Sequence, residues 1–132
     1  MNNATDMRMK FLRRVLLLKW IVTLFAWGLP ALLGPPALFA LLAAPFPDDP
    51  TFVRLFGAVV TALALLYWCA WRDPVRNVAI LRYGVVDNGL VTLTILALAL
   101  SGRTLSWFFW LSAALTAFFC IAFLITLPAV KE

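Results

Sequence analysis

Residues 105–127 read LSWFFWLSAALTAFFCIAFLITL, a run without one charged side chain. A helix crosses the hydrocarbon core of a bilayer with about 20 mostly apolar residues, and this run supplies them. Three further long and mostly apolar runs, each with one to three charged residues, precede it over residues 75–100, 51–71 and 15–33, separated by short breaks rich in proline, glycine and aspartate. Across all 132 residues, 64% are hydrophobic and 13% charged, against about 45–50% and about 25% in soluble domains. A water-soluble chain this short has too little interior to hide that much apolar surface. In a bilayer the backbone must satisfy its polar groups internally, which selects helices. The reading is therefore an all-α, integral membrane four-helix bundle, with residues 1–132 forming a single transmembrane domain.

Basic residues set the expected orientation. Arg8, Lys10, Arg13, Arg14 and Lys19 precede or open the first run, Arg72, Arg76 and Arg82 cluster around the second connection, and Lys131 lies at the end. The opposite side holds Arg54 and Arg103 with the acids Asp48 and Asp49. Positive residues collect on the cytoplasmic side of membrane spans. Both termini are thus expected in the cytoplasm of a bacterial inner membrane. Arg13, Arg14, Lys19, Arg72, Arg76 and Arg82 would form an inner basic collar. The net charge of +5 is explained by this collar and needs no nucleic-acid partner. A cleavable signal peptide is disfavoured, because Trp27 interrupts the only nearby patch of small residues.

Local punctuation refines the picture. Gly34-Pro35-Pro36 should stop the first helix, since proline lacks the amide hydrogen and clashes with the preceding turn. Residues 36–44 are apolar and read as a short interfacial helix, because a span from 15 to 44 would exceed one crossing. Asp49-Pro50 and Asp73-Pro74 place a capping acid before a proline suited to the first helical position. The strings that follow them share an arginine and a glycine at unequal spacing, which reads as two independent caps and not as a duplication.

The residues that could carry chemistry are few. Histidine is absent, which removes imidazole ligation of haem or zinc. Cys69 and Cys120 do not form a CxxC pair and read as small buried residues. No phosphate-binding loop or nucleophile motif is present, and no cofactor is expected. Asp87 and Asn88 stand out. Counted from Asp73, Asp87 falls roughly 20 Å along the third helix, a depth at which an ionisable side chain is costly and a suspect for function. Gly84, Asp87, Asn88 and Thr92 recur at helical spacing as one polar stripe that should face the other helices. With no intramembrane cation evident from position, a structural hydrogen-bonding role for Asp87 is weighed ahead of a functional one. Arg54 and Arg103 suit contact with outer headgroups. Small residues at four-residue spacing (Gly57 and Thr61, Ala58 and Ala62, Ser112, Thr116 and Cys120, Ala113 and Ala117) mark close helix approaches. Trp68 and Trp71, and Trp107 and Trp110, suit the two aromatic belts.

The proline break at Gly34-Pro35-Pro36, the Asp49, Pro50, Arg54 and Gly57 pattern, and Tyr67 followed by the turn from Arg72 to Arg76 resemble small four-helix bacterial membrane proteins of DoxX-like and related uncharacterised families. The resemblance implies the four-helix layout and carries no catalytic residue over; a membrane redox component is one activity it implies. The expectation for function is a non-enzymatic accessory or assembly subunit of a membrane complex, in contact with the lipid bilayer and with other membrane subunits or itself. The alternatives are a small dimeric transporter or channel using the stripe around Asp87, and a DoxX-like redox component.

Overall fold

The computed structural model describes residues 3–127; Lys131, counted towards the expected orientation, lies outside them. Every regular element among the described residues is helical. Helix α1 (Asn3–Val22) runs without a break into a π-helical segment (Thr23–Gly28) and then α2 (Leu29–Leu33), so the first rod is much longer than the apolar run alone. Proline 30 accounts for the π segment. It cannot donate to a carbonyl one turn back, and the preceding amide, that of Leu29, reaches back five residues to the Leu24 oxygen. A single widened turn absorbs the missing bond and the rod continues. It ends at Gly34 and Pro35, both extended, as residues that precede prolines tend to be.

The expected interfacial segment forms α3 (Pro36–Leu41), followed by a turn in which Ala43 takes a positive φ of 50°. Three long helices complete the chain: α4 (Thr51–Arg72), α5 (Val78–Leu100) and α6 (Trp107–Thr126). Four rods, the first counted over Thr5–Leu33, are long and apolar enough to cross a membrane, which suggests a multi-pass membrane protein.

Two caps differ in detail from expectation. Asp49 lies two residues before α4, where its carboxylate accepts from the amide (2.9 Å) and hydroxyl (2.6 Å) of Thr51. Asp73 caps no long helix. It accepts from the Arg76 amide at 3.1 Å across a turn, and α5 begins later, at Val78. The side-chain amide of Asn77 closes that turn, its Nδ2 donating back to the Cys69 and Asp73 carbonyls at 3.2 and 2.9 Å. The physical reason is competition: the carbonyls freed at the end of α4 take the local donors before a new helix can start.

The rods pack as two pairs. The first rod lies along α4, and α5 lies along α6, while α1 also touches α6. Gly57 permits the first contact: a Cβ there would sit 2.6 Å from the Ala31 carbonyl carbon and 2.7 Å from Leu32 Cα, so no side chain fits. Arg54 then closes the end of the first rod. Its guanidinium donates to the carbonyls of Ala31 (3.1 Å) and Gly34 (2.8 Å) and stacks over Phe46. The outward headgroup contact expected for Arg54 is thus replaced by a helix cap, because Gly34-Pro35-Pro36 leaves those carbonyls without amide partners. The pairs meet in a core of Leu12, Leu16, Tyr67, Leu81, Phe119 and Phe123. Ala58 and Ala62 remain exposed, so that ridge is not a contact within the bundle.

Candidate intramembrane polar site

The polar stripe on α5 faces inward as its spacing suggests. Gly84 and Asn88 are buried, and Asp87 and Thr92 are half-buried at the edge. Because α5 starts at Val78, Asp87 lies nine residues in, about 14 Å along the helix and not about 20 Å. Gly84 makes room for a partner from α4. A Cβ at this position would approach Phe123 to 2.9 Å and the Tyr67 hydroxyl to 3.0 Å. Tyr67, itself fully buried, can therefore place its oxygen against α5. That hydroxyl donates to Asp87 Oδ2 at 3.2 Å and accepts from Asn88 Nδ2 at 3.4 Å.

Lys19 completes the site and overturns its placement in the basic collar. It is only 2% exposed, and its ammonium donates to Asn88 Oδ1 at 2.7 Å. The rings of Trp27, Tyr67 and Phe119 surround it, with centroids 5.1, 5.1 and 4.9 Å away. Aromatic faces attract an ammonium most strongly where water is excluded. The collar placement fails because the helix begins at Asn3, well before the apolar run. Lys19 is then sixteen residues into the rod, about 24 Å from its start. The remaining collar residues, Arg13, Arg14, Arg72, Arg76 and Arg82, are exposed.

Asn88 is the hinge of the arrangement. Its amide oxygen faces the cation, and its amide nitrogen donates to the Gly84 carbonyl at 2.6 Å as well as to Tyr67. Lys19, Asn88, Tyr67 and Asp87 thus form one chain of hydrogen bonds crossing from the first rod through α5 and α4. The ammonium and the carboxyl group are joined through two neutral groups.

A second tier extends the stripe towards the other end of the bundle. The hydroxyls of Thr92 and Thr116 stand 2.8 Å apart, each also 2.9 Å from a carbonyl of its own helix, those of Asn88 and Ser112. One hydroxyl donates within its helix while the other donates across. Trp27 Nε1 donates to the Ser112 hydroxyl at 3.0 Å, tying the cage over Lys19 to this tier. Thr23, one turn beyond Lys19, is buried with its hydroxyl unpartnered. Cys120 donates to the Val85 carbonyl at 3.4 Å, and both cysteines are free.

Sequence reasoning found the α5 stripe and the Ser112 and Thr116 ridge but missed Tyr67, Trp27 and Phe119 as neighbours of the stripe. One signal was present. Lys19, Thr23 and Trp27 repeat every four residues, which places them on one face of the first helix. Depth gives another, since Lys19 lies about 21 Å before the end of its rod at Leu33 and Asn88 about 18 Å before Leu100. Compared with protein-family models, curated proteins and solved structures, the chain matches none.

Proposed function

We propose that this chain is a multi-pass protein of the bacterial inner membrane, with both termini cytoplasmic, that works as a small transport protein moving protons through the Lys19–Asn88–Tyr67–Asp87 centre. The burial of Lys19 against Asn88 carries this reading. An ionisable residue at the centre of a membrane helix costs about 2.5–3.5 kcal/mol on insertion scales. Burial of such a charge is weak evidence of a stabilising role, since apolar replacements of buried charged groups are often neutral or stabilising. A chain of hydrogen bonds that links an ammonium to a carboxyl group supports a site at which a proton is taken up and released. The hydroxyl tier of Thr92, Thr116 and Ser112 extends the polar route along the bundle.

Proteoliposomes containing a pH-sensitive dye test the proposal under an imposed membrane potential. Wild-type protein should dissipate the gradient, and Asp87→Asn and Lys19→Met should not. Unchanged proton flux in both variants removes the proposal.

A second reading, an accessory or assembly subunit, is favoured by one observation. Asp87 is half-buried at the edge of the bundle, which leaves part of the residue open to a neighbouring subunit or a second copy. Gentle purification that recovers only the isolated chain removes this reading.

A further inference from the structure

At the end of the bundle shared by the start of α1 and the end of α6 lies an open groove of about 670 Å³, within the size range of small-ligand sites, roughly 300–1,000 Å³. Its lining has two halves. Arg8, Lys10 and Arg14 supply three cations from α1, and Met7, Phe11 and Ile125 supply apolar wall. The three cations are exposed, as are Met7 and Ile125. The neighbouring acid, Asp6, is not part of the lining but stands one turn before Lys10 on the same face of α1. Thr126 closes the floor, its hydroxyl already donated to its own helix at the Ala122 carbonyl, 2.7 Å away.

We infer that this groove binds an anionic phospholipid, its phosphate among Arg8, Lys10 and Arg14 and its upper acyl chain along Met7, Phe11 and Ile125. Charge and apolarity together select this occupant. Three cations against the single adjacent acid Asp6 leave the lining net positive among the described residues, which favours a phosphate, and an apolar wall continuous with them favours a phosphate that carries a hydrocarbon chain. Basic pockets between membrane helices on the cytoplasmic side recognise anionic headgroups in this way. The inference rests on the membrane reading and not on transport through Lys19, so each can fail alone.

The test uses the full chain in nanodiscs of phosphatidylcholine with and without phosphatidylglycerol, followed by native mass spectrometry of the lipid retained. Wild-type protein should hold phosphatidylglycerol in preference to phosphatidylcholine. The triple variant Arg8→Gln, Lys10→Gln, Arg14→Gln should hold it at least about tenfold less tightly, since each surface cation attracts an anionic lipid appreciably. The variant Arg13→Gln, Arg76→Gln, with its changes outside the groove, should bind as wild type. Excess inorganic phosphate should leave most of the lipid in place. Equal retention of the two lipids, an unaffected triple variant, or complete displacement by phosphate alone overturns the inference. If the triple variant does not fold, salt titration of the wild type decides: retention should fall as ionic strength rises, and retention insensitive to salt overturns the inference.

Discussion

The Lys19 ammonium and the Asn88 side chain, 69 residues apart in sequence, meet at 2.7 Å in the interior of the bundle. This contact gives a buried cation a neutral acceptor. The same asparagine hands the connection on to Tyr67 and, through it, to Asp87.

The first prediction concerns that pair. Asn88→Leu leaves a buried ammonium without its acceptor and should destabilise the bundle by about 3 kcal/mol or more. Adding Lys19→Met removes the stranded charge and should recover most of the loss. Detergent denaturation of the two single variants and the double variant measures the coupling. Simple additivity of the two single effects contradicts the assignment.

A second prediction separates two glycines. Gly57→Ala forces a methyl group onto the Ala31–Leu32 backbone and should cost about 1–3 kcal/mol through overpacking. Gly89→Ala meets only Cys120 Sγ at 3.6 Å, an ordinary contact, and should change stability little. Thermal unfolding of both variants in one detergent checks the contrast.

Arg54 provides a third. Arg54→Gln uncovers the carbonyls of Ala31 and Gly34 and should cost about 1.5–3 kcal/mol, the usual range for hydrogen bonds to a charged group. Arg54→Lys should restore only part, because one ammonium does not reproduce a planar fork across two acceptors. Faster proteolysis in residues 34–50 of the glutamine variant is the readout. Wild-type protection in that variant would show that the cap is unimportant.

Asp49 gives a pH signature outside the membrane-crossing rods. The Thr51 hydroxyl, then the Thr51 amide, hold its carboxyl group below the ordinary carboxylate value. A depressed folded-state pKa contributes stability that is present above the unfolded value and is lost as pH falls through the folded one. Thr51→Val should shift the Asp49 titration midpoint upward, towards the ordinary value, by removing the hydroxyl donor. Site-resolved NMR titration of the two forms measures the shift; an unmoved midpoint refutes the cause assigned.

Much of the architecture was legible in the chain itself. Four long, mostly apolar runs announce four helices, and Gly34-Pro35-Pro36 announces the break, because hydropathy and proline chemistry act locally. The α5 stripe of Gly84, Asp87, Asn88 and Thr92 was legible too, since polar residues at helical spacing on an apolar helix have one sensible direction to face. Lys19 was misplaced for a local reason. Hydropathy locates where apolar residues begin and not where a helix begins, so a lysine at the head of the run looked peripheral although the helix had started sixteen residues before it.

Local sequence thus determined the number and kind of helices and their principal stop. Tertiary packing decided which side chains meet between them. Tyr67, Trp27 and Phe119 are indistinguishable in composition from aromatic residues that face lipid, and they form a cage only because the rods bring them to one level around Lys19. Arg54 likewise becomes a cap only when Gly57 lets α4 close on the first rod. Helix propensity and hydropathy are properties of neighbouring residues; the rotation and depth of one helix against another depend on steric fit across the interface.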